Sequence, residues 1–265
     1  MLKILLEKFR QGHQTMTYPH GPAPALPGRF KGRPEISAGD CPPGCVACLE
    51  SCPTDAIKSV RGRVELDLGS CLFCAECQSA CPEKLISFTD DYRLATRKRE
   101  ELLLQHGKEL ELAESLRAEI LRIFGRSLKL RQVSAAGCNA CEADLNVLGT
   151  VGWDIGRFGI QFVASPRHAD GLVVTGCVSQ NMKLALEKTY QAVAEPKIVI
   201  AVGACAISGG PFMGNEQQLG GAASVVPVDL FIPGCPPHPL TILDGLLRLL
   251  GRLPSERSAL PSFRR

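Results

Sequence analysis

From residue 127 onward, short apolar runs alternate with longer stretches of mixed polarity. The runs at 128–133, 160–164, 171–175, 197–202 and 228–232 predict strands. Between them, apolar residues recur at helical spacing over 141–150, 179–193 and 238–251, which predicts helices. Strands alternating with helices imply an α/β domain: a parallel sheet with helices on both faces. Upstream the pattern differs. Leu2, Leu5, Leu6 and Phe9 form a helical stripe over residues 1–10, with Lys3, Glu7, Lys8 and Arg10 elsewhere. Such a helix docks on a partner or on the chain's own body, or lies on a membrane surface. Residues 18–43 are rich in proline and glycine and predict an extended strap. Arg63-Val64-Glu65-Leu66-Asp67-Leu68 alternates with period two and predicts a strand. Over 91–124, Leu112, Leu116, Ile120 and Leu121 follow a charged run. This predicts one or two charged amphipathic helices, broken at Gly107, that connect two domains.

Composition narrows the function classes. A formal net charge of +3 in 265 residues, without a basic-aromatic platform, argues against a nucleic-acid partner. No apolar run approaches the ~20 residues of a membrane span, and the N-terminus lacks a secretory h-region. Thirteen cysteines therefore stand in a chain with the signature of a soluble, cytoplasmic protein, where disulfides are rare.

Eight of those cysteines form a repeat. Cys71, Cys74 and Cys77 are spaced by two residues, and Cys81-Pro82 follows after three. In this spacing three thiolates converge on one cubane iron–sulfur cluster and the fourth serves a neighbouring cluster. The second copy is Cys41, Cys45, Cys48 and Cys52-Pro53. The expected ligand sets are Cys41, Cys45, Cys48 and Cys81 for one cluster, and Cys52, Cys71, Cys74 and Cys77 for the other. The copy departs from the pattern at one point: Pro42-Pro43-Gly44 puts three residues between Cys41 and Cys45. A zinc ribbon or a disulfide scaffold is the alternative, and the doubled run with proline after each last cysteine speaks against both.

Cys138, Cys141, Cys205 and Cys235 follow predicted strands, so a parallel sheet would gather them at its carboxyl edge, where such folds bind ligands. Four thiolates there suit one cubane cluster or one closed zinc site. The two clusters upstream favour a third [4Fe-4S] cluster. Cys177, also at a strand end, is the thirteenth cysteine and reads as a small buried thiol.

At these residues the chain resembles a known family. Gly137-Cys138-Asn139-Ala140-Cys141-Glu142, Ser165-Pro166-Arg167-His168-Ala169-Asp170, the loop from Gly203 to Gly210, and Ile232-Pro233-Gly234-Cys235-Pro236-Pro237 are similar to the small subunit of membrane-bound, energy-converting [NiFe]-hydrogenases of the formate hydrogenlyase type. The related subunit of complex I carries the terminal cluster. The N-terminal part, including Tyr18-Pro19 and Phe30-Lys31-Gly32-Arg33-Pro34, resembles the two-cluster ferredoxin-like subunit of the same complexes. The chain thus looks like a fusion of two subunits.

The resemblance implies a flavodoxin-like fold and three [4Fe-4S] clusters that relay electrons to or from a [NiFe] large subunit. It also implies membrane antiporter-like subunits, an electron donor or acceptor protein, and a peripheral place on the cytoplasmic side of the inner membrane. The Cys138-x-x-Cys141 pair has hydrogenase spacing, whereas complex I subunits carry adjacent cysteines there. By resemblance Arg167 and His168 lie near the third cluster, the alternative being a loop salt bridge. Glu142 is a candidate proton relay or a solvated helix-start carboxylate. The expected organisation is helix and strap over 1–39, ferredoxin module over 40–90, charged helical connector over 91–126, hydrogenase-like domain over 127–251 and a tail over 252–265. A hydrogenase-related complex without nickel, a quinone-reducing complex and a free-standing ferredoxin-type carrier are the competing functions.

Overall fold

The computed structural model describes residues 2–253 except 40, 61, 62, 109, 117, 125 and 126. All but the first two residues of the expected tail lie outside the described residues. The chain begins with helix α1 (Leu2–Gln11), none of whose residues is buried. Leu2, Ile4 and Phe9 stand in solvent, so the stripe does not dock on the chain's own body. The strap follows and is fastened at several points. The Thr15 hydroxyl donates to the Val151 carbonyl, and Arg157 donates to the carbonyls of Met16 and Tyr18. The Tyr18 hydroxyl donates to buried Asp244 over 3.1 Å.

The strap ends in β1 (Pro34–Ile36). Next come α2 (Ala47–Glu50), β2 (Ile57–Val60), β3 (Arg63–Asp67), α3 (Glu76–Ala80), β4 (Ile86–Phe88) and β5 (Leu103–Gln105). β1 pairs antiparallel with β4, and β2, β3 and β5 form a second small antiparallel sheet. The repeat in the cysteine runs is also a repeat in the backbone. Asp55 and Lys84, each three residues after the last cysteine of its run, both take left-handed conformations (φ 50° and 52°). The apolar residues that follow, Ala56-Ile57 and Leu85-Ile86, are buried over the two runs.

The segment expected as charged helices is built differently. Residues 99–102 form a 3-10 turn, 103–105 are strand β5, and only α4 (Ala118–Phe124) is α-helix. Between them the described residues take no regular structure and are held by tertiary hydrogen bonds, one within the segment and one to α8. The Ala113 N–H donates to the Ala95 carbonyl and the Leu116 N–H to the Leu249 carbonyl. The spacing by four of Leu112 and Leu116 is accidental: those side chains reach the core from irregular chain held by tertiary hydrogen bonds.

The remainder is β6 (Leu128–Ser134), α5 (Ala140–Val147), β7 (Ile160–Phe162), β8 (Gly171–Thr175), α6 (Gln180–Ala192), β9 (Ile198–Val202), α7 (Ala204–Ser208), β10 (Leu230–Ile232) and α8 (Pro239–Leu249). Every pairing among its five strands is parallel, in the order β10-β9-β8-β6-β7. Counted along the domain this is 2-1-3-4-5, the flavodoxin-like order, with its switch point between β6 and β8. β8 and β9 are buried along their whole length, as expected for central strands covered on both faces.

The two domains share a core. Leu66, Leu68 and Leu102 of the small module belong to the same apolar cluster as Leu172, Val174 and Ile207 on one face of the parallel sheet. Asp67 accepts from Arg99 and Ser70 at this junction. Gly69 sits so close to Ile207 that an added Cβ would lie 2.7 Å from its Cγ2. The interface fixes the cysteine runs relative to the sheet edge. Among the described residues, no helix is long and apolar enough to cross a membrane.

Candidate metal centres

The structure brings twelve cysteines into three neighbourhoods, which shared cavities, burial and the influence of each thiol on those nearby trace out. Burial raises the Cys48 thiol, and the negative charges of Cys41, Cys81 and Cys45 raise it further. Cys41, Cys45, Cys48 and Cys81 also line one enclosed space with Val64 and Ile86. The irregular spacing at Cys41 is absorbed by a turn: the Cys45 N–H donates to the Pro42 carbonyl, and Gly44 takes φ +78°.

The second quartet forms beside the first. Burial pushes Cys71 up to about 12, against the hydrogen bond from the Phe73 N–H and with the charges of Cys77, Cys52 and Cys74. Cys77 rises to about 11 for the same reasons, burial first and then Cys52 and Cys74. Backbone N–H groups point at the sulfurs. Ala56 donates to Cys52 Sγ over 3.3 Å, Phe73 to Cys71 Sγ over 3.3 Å, and Leu85 to Cys81 Sγ over 3.4 Å. Two of these three come from the residue four beyond the last cysteine of a run, so the local turn supplies the donor. Such amides stabilise the negative charge that a sulfur-ligated cluster carries.

The third quartet lies at the carboxyl edge of the parallel sheet. Cys138 follows β6, Cys141 is in the first turn of α5, Cys205 is in α7 after β9, and Cys235 follows β10. Burial raises Cys141 strongly, and Glu142, Cys205, Cys235 and Cys138 add to it. Cys205 is pushed up to about 12 by burial and then by Cys235, Cys177 and Cys138. Glycines make the room. A Cβ on Gly203 (φ +91°) would lie 2.6 Å from Cys141 Sγ, and one on Gly210 2.9 Å from Cys205 Sγ.

The donor set therefore fits iron–sulfur ligation. Thiols crowded with their peers are costly to ionise alone, and bound iron supplies the compensating positive charge. Among the described residues, no three of His, Cys, Asp and Glu stand where they would close on a single metal ion.

The structure also places what lies around the third quartet. Glu142 is 5% exposed, so it is not a solvated helix-start carboxylate. Its Oε1 accepts from Ser134 Oγ and Thr175 Oγ1, both over 2.6 Å. Burial alone would raise its carboxyl; those hydroxyls outweigh it and hold the pKa below the usual carboxylate range. The hydroxyl pair was not singled out from the sequence, because it forms only when β6 and β8 come into register at Ser134 and Thr175. Arg167 and His168 are exposed on the 3-10 turn after β7 and make no ion pair among the described residues. Cys177 is buried, donates to the Ala136 carbonyl over 3.4 Å, and adds its charge to that acting on Cys205.

A flavodoxin-like sheet with cysteines gathered at its carboxyl edge, packed on a double cysteine-run module, places the chain among cysteine-rich subunits of oxidoreductase complexes. The family model described as NADH ubiquinone oxidoreductase, 20 Kd subunit, matches residues 138–249. The chain belongs to that family. It is 36% identical to the probable membrane-bound hydrogenase subunit mbhJ of Pyrococcus furiosus over 57% of this chain and 90% of that one. It is 40% identical to an NADH-quinone oxidoreductase subunit of Phocaeicola vulgatus, over 51% and 68%. It is 41% identical to formate hydrogenlyase subunit 7 of Escherichia coli over 54% of this chain, and there it spans only 56% of the relative's length. Among solved structures, a chain of the membrane-bound sulfane sulfur reductase, an archaeal respiratory membrane complex, is similar. Its TM-score is 0.45 at 30% identity, covering 51% of this chain and 75% of that one.

Proposed function

We propose that this chain is the electron-relay subunit of a membrane-associated, [NiFe]-hydrogenase-type complex and that its three quartets hold three [4Fe-4S] clusters. When bound, each cluster supplies reversible one-electron transfer. The ligands are Cys41, Cys45, Cys48 and Cys81; then Cys52, Cys71, Cys74 and Cys77; then Cys138, Cys141, Cys205 and Cys235. One observation carries the reading. The second cysteine run adjoins both other sites: α2, which carries Cys48, packs on α3, which carries Cys77, and Leu72 and Phe73 of the second run line one cleft with Cys235. A cluster held by the second run would therefore have a neighbour in each of the other two quartets, as a relay requires.

The chain's own residues fix the spacing and set the environment. The shared core at Leu66, Leu68 and Ile207 holds the two domains together. Backbone amides stabilise the ligated sulfurs, and ionised Glu142 places a negative charge beside Cys141. In this reading residues 40–90 form the two-cluster module and 127–251 the one-cluster domain. Glu142 stays a candidate for handing on protons at the subunit interface, with Ser134 and Thr175 as its hydrogen-bonded neighbours. The implied partners are a [NiFe]-type large subunit, antiporter-like membrane subunits and an electron donor or acceptor protein. The complex would sit on the cytoplasmic side of the inner membrane. Exposed Cys138 and Cys235 support a covering partner over a free-standing carrier.

The Cys138-x-x-Cys141 spacing favours the hydrogenase type. The likeness to NADH-quinone oxidoreductase subunits, 44% identical in Clostridium beijerinckii, favours a quinone-reducing assembly as the second reading. Assaying the intact complex separates them. Hydrogen evolution from a low-potential donor, lost on replacing Cys205 with serine, supports the first. Quinone reduction with no hydrogen activity supports the second.

A further inference from the structure

The two faces of strands β6 and β7 are not equally covered. On one, α5 and the 3-10 turn Ile155–Phe158 bury Leu128, Leu130 and Ile160 in a common core. The opposite face carries Lys129, Arg131 and Gln161, and α6 covers only part of it, through Leu186. A groove of about 690 Å³ is left between the sheet edge and α6, lined by Arg131, Gln132, Val163, Met182, Ala185 and Thr189 among others.

Arg131 is the anomaly in this groove. Its Nε is fully buried without a hydrogen-bond acceptor. The guanidinium makes no ion pair or hydrogen bond among the described residues. A buried donor left without an acceptor is costly, and more so when it is charged. A guanidinium half-sunk between apolar walls is also matched by one chemistry above others, the planar carboxylate or phosphate that takes two parallel N–H bonds.

We infer that this groove is a docking site for a partner protein and that Arg131 receives an aspartate or glutamate side chain from it. The groove reaches Ser134 and Ala164 at the carboxyl ends of β6 and β7. That is the same edge from which exposed Cys138 emerges, so a chain covering the third quartet continues naturally into the groove. Met182, Ala185 and Val163 offer apolar contact on either side of the ion pair. The inference rests on the reading that the chain works inside an assembly, and adds to it the face and the anchoring residue.

The test uses the complex purified with this chain. Arg131→Lys places a primary amine in the groove, and a zero-length carbodiimide joins an amine to any carboxylate within ion-pair reach by an amide bond, with loss of water. Peptide mass spectrometry should find position 131 joined to an aspartate or glutamate of another subunit. Arg131→Gln should weaken retention of that subunit about tenfold or more, as for a buried interfacial charge pair that loses one member. Three results would overturn the inference. One is no adduct at position 131 in a sample whose exposed lysines do react. Another is an adduct to a carboxylate of this same chain. The third is a gain in thermal stability of the isolated chain with sodium acetate over sodium chloride, abolished by Arg131→Gln and unaccompanied by any intersubunit adduct. Iron content read on the same samples keeps the questions apart, since full iron without the adduct defeats the docking site and leaves the relay reading standing.

Discussion

At the scale of single residues, the third quartet depends on an absent side chain as much as on its thiols. Gly203 has φ +91°, and a Cβ there would meet Cys141 Sγ at 2.6 Å. Gly203→Ala should therefore lose the third cluster and keep the other two, leaving about eight irons of about twelve. Cys177→Ala should leave the iron count unchanged, although Cys177 lies within electrostatic reach of Cys205. A loss of four irons from that variant would make Cys177 a ligand. The sequence was most readable at this scale where chemistry is local. The double cysteine run names eight candidate ligands by spacing alone, and the turn at Pro42-Pro43-Gly44 shows how its one irregular spacing is accommodated. The environment of Glu142 was not readable, because Ser134 and Thr175 reach it from two different strands.

At the scale of elements, α8 and the strap are locked by a buried charge network. The Arg248 Nε donates to Asp244 over 2.8 Å, with side-chain exposures of 7% and 1%, and the Tyr18 hydroxyl donates to the same carboxylate. Burial raises Asp244, and Arg248 opposes that rise. Arg248→Met should destabilise the protein by about 3–5 kcal/mol, because it strands a buried carboxylate. Pairing it with Asp244→Leu should recover most of the loss in urea denaturation. Asp91 behaves in the opposite sense. Burial would raise its carboxyl, but bidentate hydrogen bonds and charge from Arg93, with Arg33 beside it, bring the pKa below the ordinary value. Its contribution is thus fully present above the unfolded carboxylate pKa of about 4 and is lost as pH falls through the lowered value. Asp91→Asn should lower stability at neutral pH and flatten the acid limb of the stability curve relative to the parent protein. No change in that limb would remove Asp91 from the account.

The elements of the parallel sheet were legible from apolar runs because β8 and β9 are buried on both faces and, apart from Gly171 and Thr175 at the two ends of β8, carry aliphatic side chains. The segment 91–124 was not. Its leucines repeat at helical spacing, yet the Ala113 N–H pairs back with Ala95 of the same segment and the Leu116 N–H with Leu249 of α8. Local propensity lost to these tertiary hydrogen bonds.

At the scale of the whole molecule, the parallel sheet converts sequence-distant cysteines into one site, and the shared core sets that site beside the cysteine-run module. The topology that does this is 2-1-3-4-5, whose loops after β6, β9 and β10 emerge at one edge. The neighbourhood of the quartets, with α2 packed on α3 and Leu72 and Phe73 beside Cys235, is a property of the assembled fold that no single motif contains. The central claim is that all three quartets carry clusters. It is tested most directly by iron and acid-labile sulfide determination on the anaerobically purified protein, with zinc measured alongside. Three [4Fe-4S] clusters require about twelve irons and about twelve sulfides per chain with no stoichiometric zinc. About eight irons with one zinc would contradict the relay at its third site.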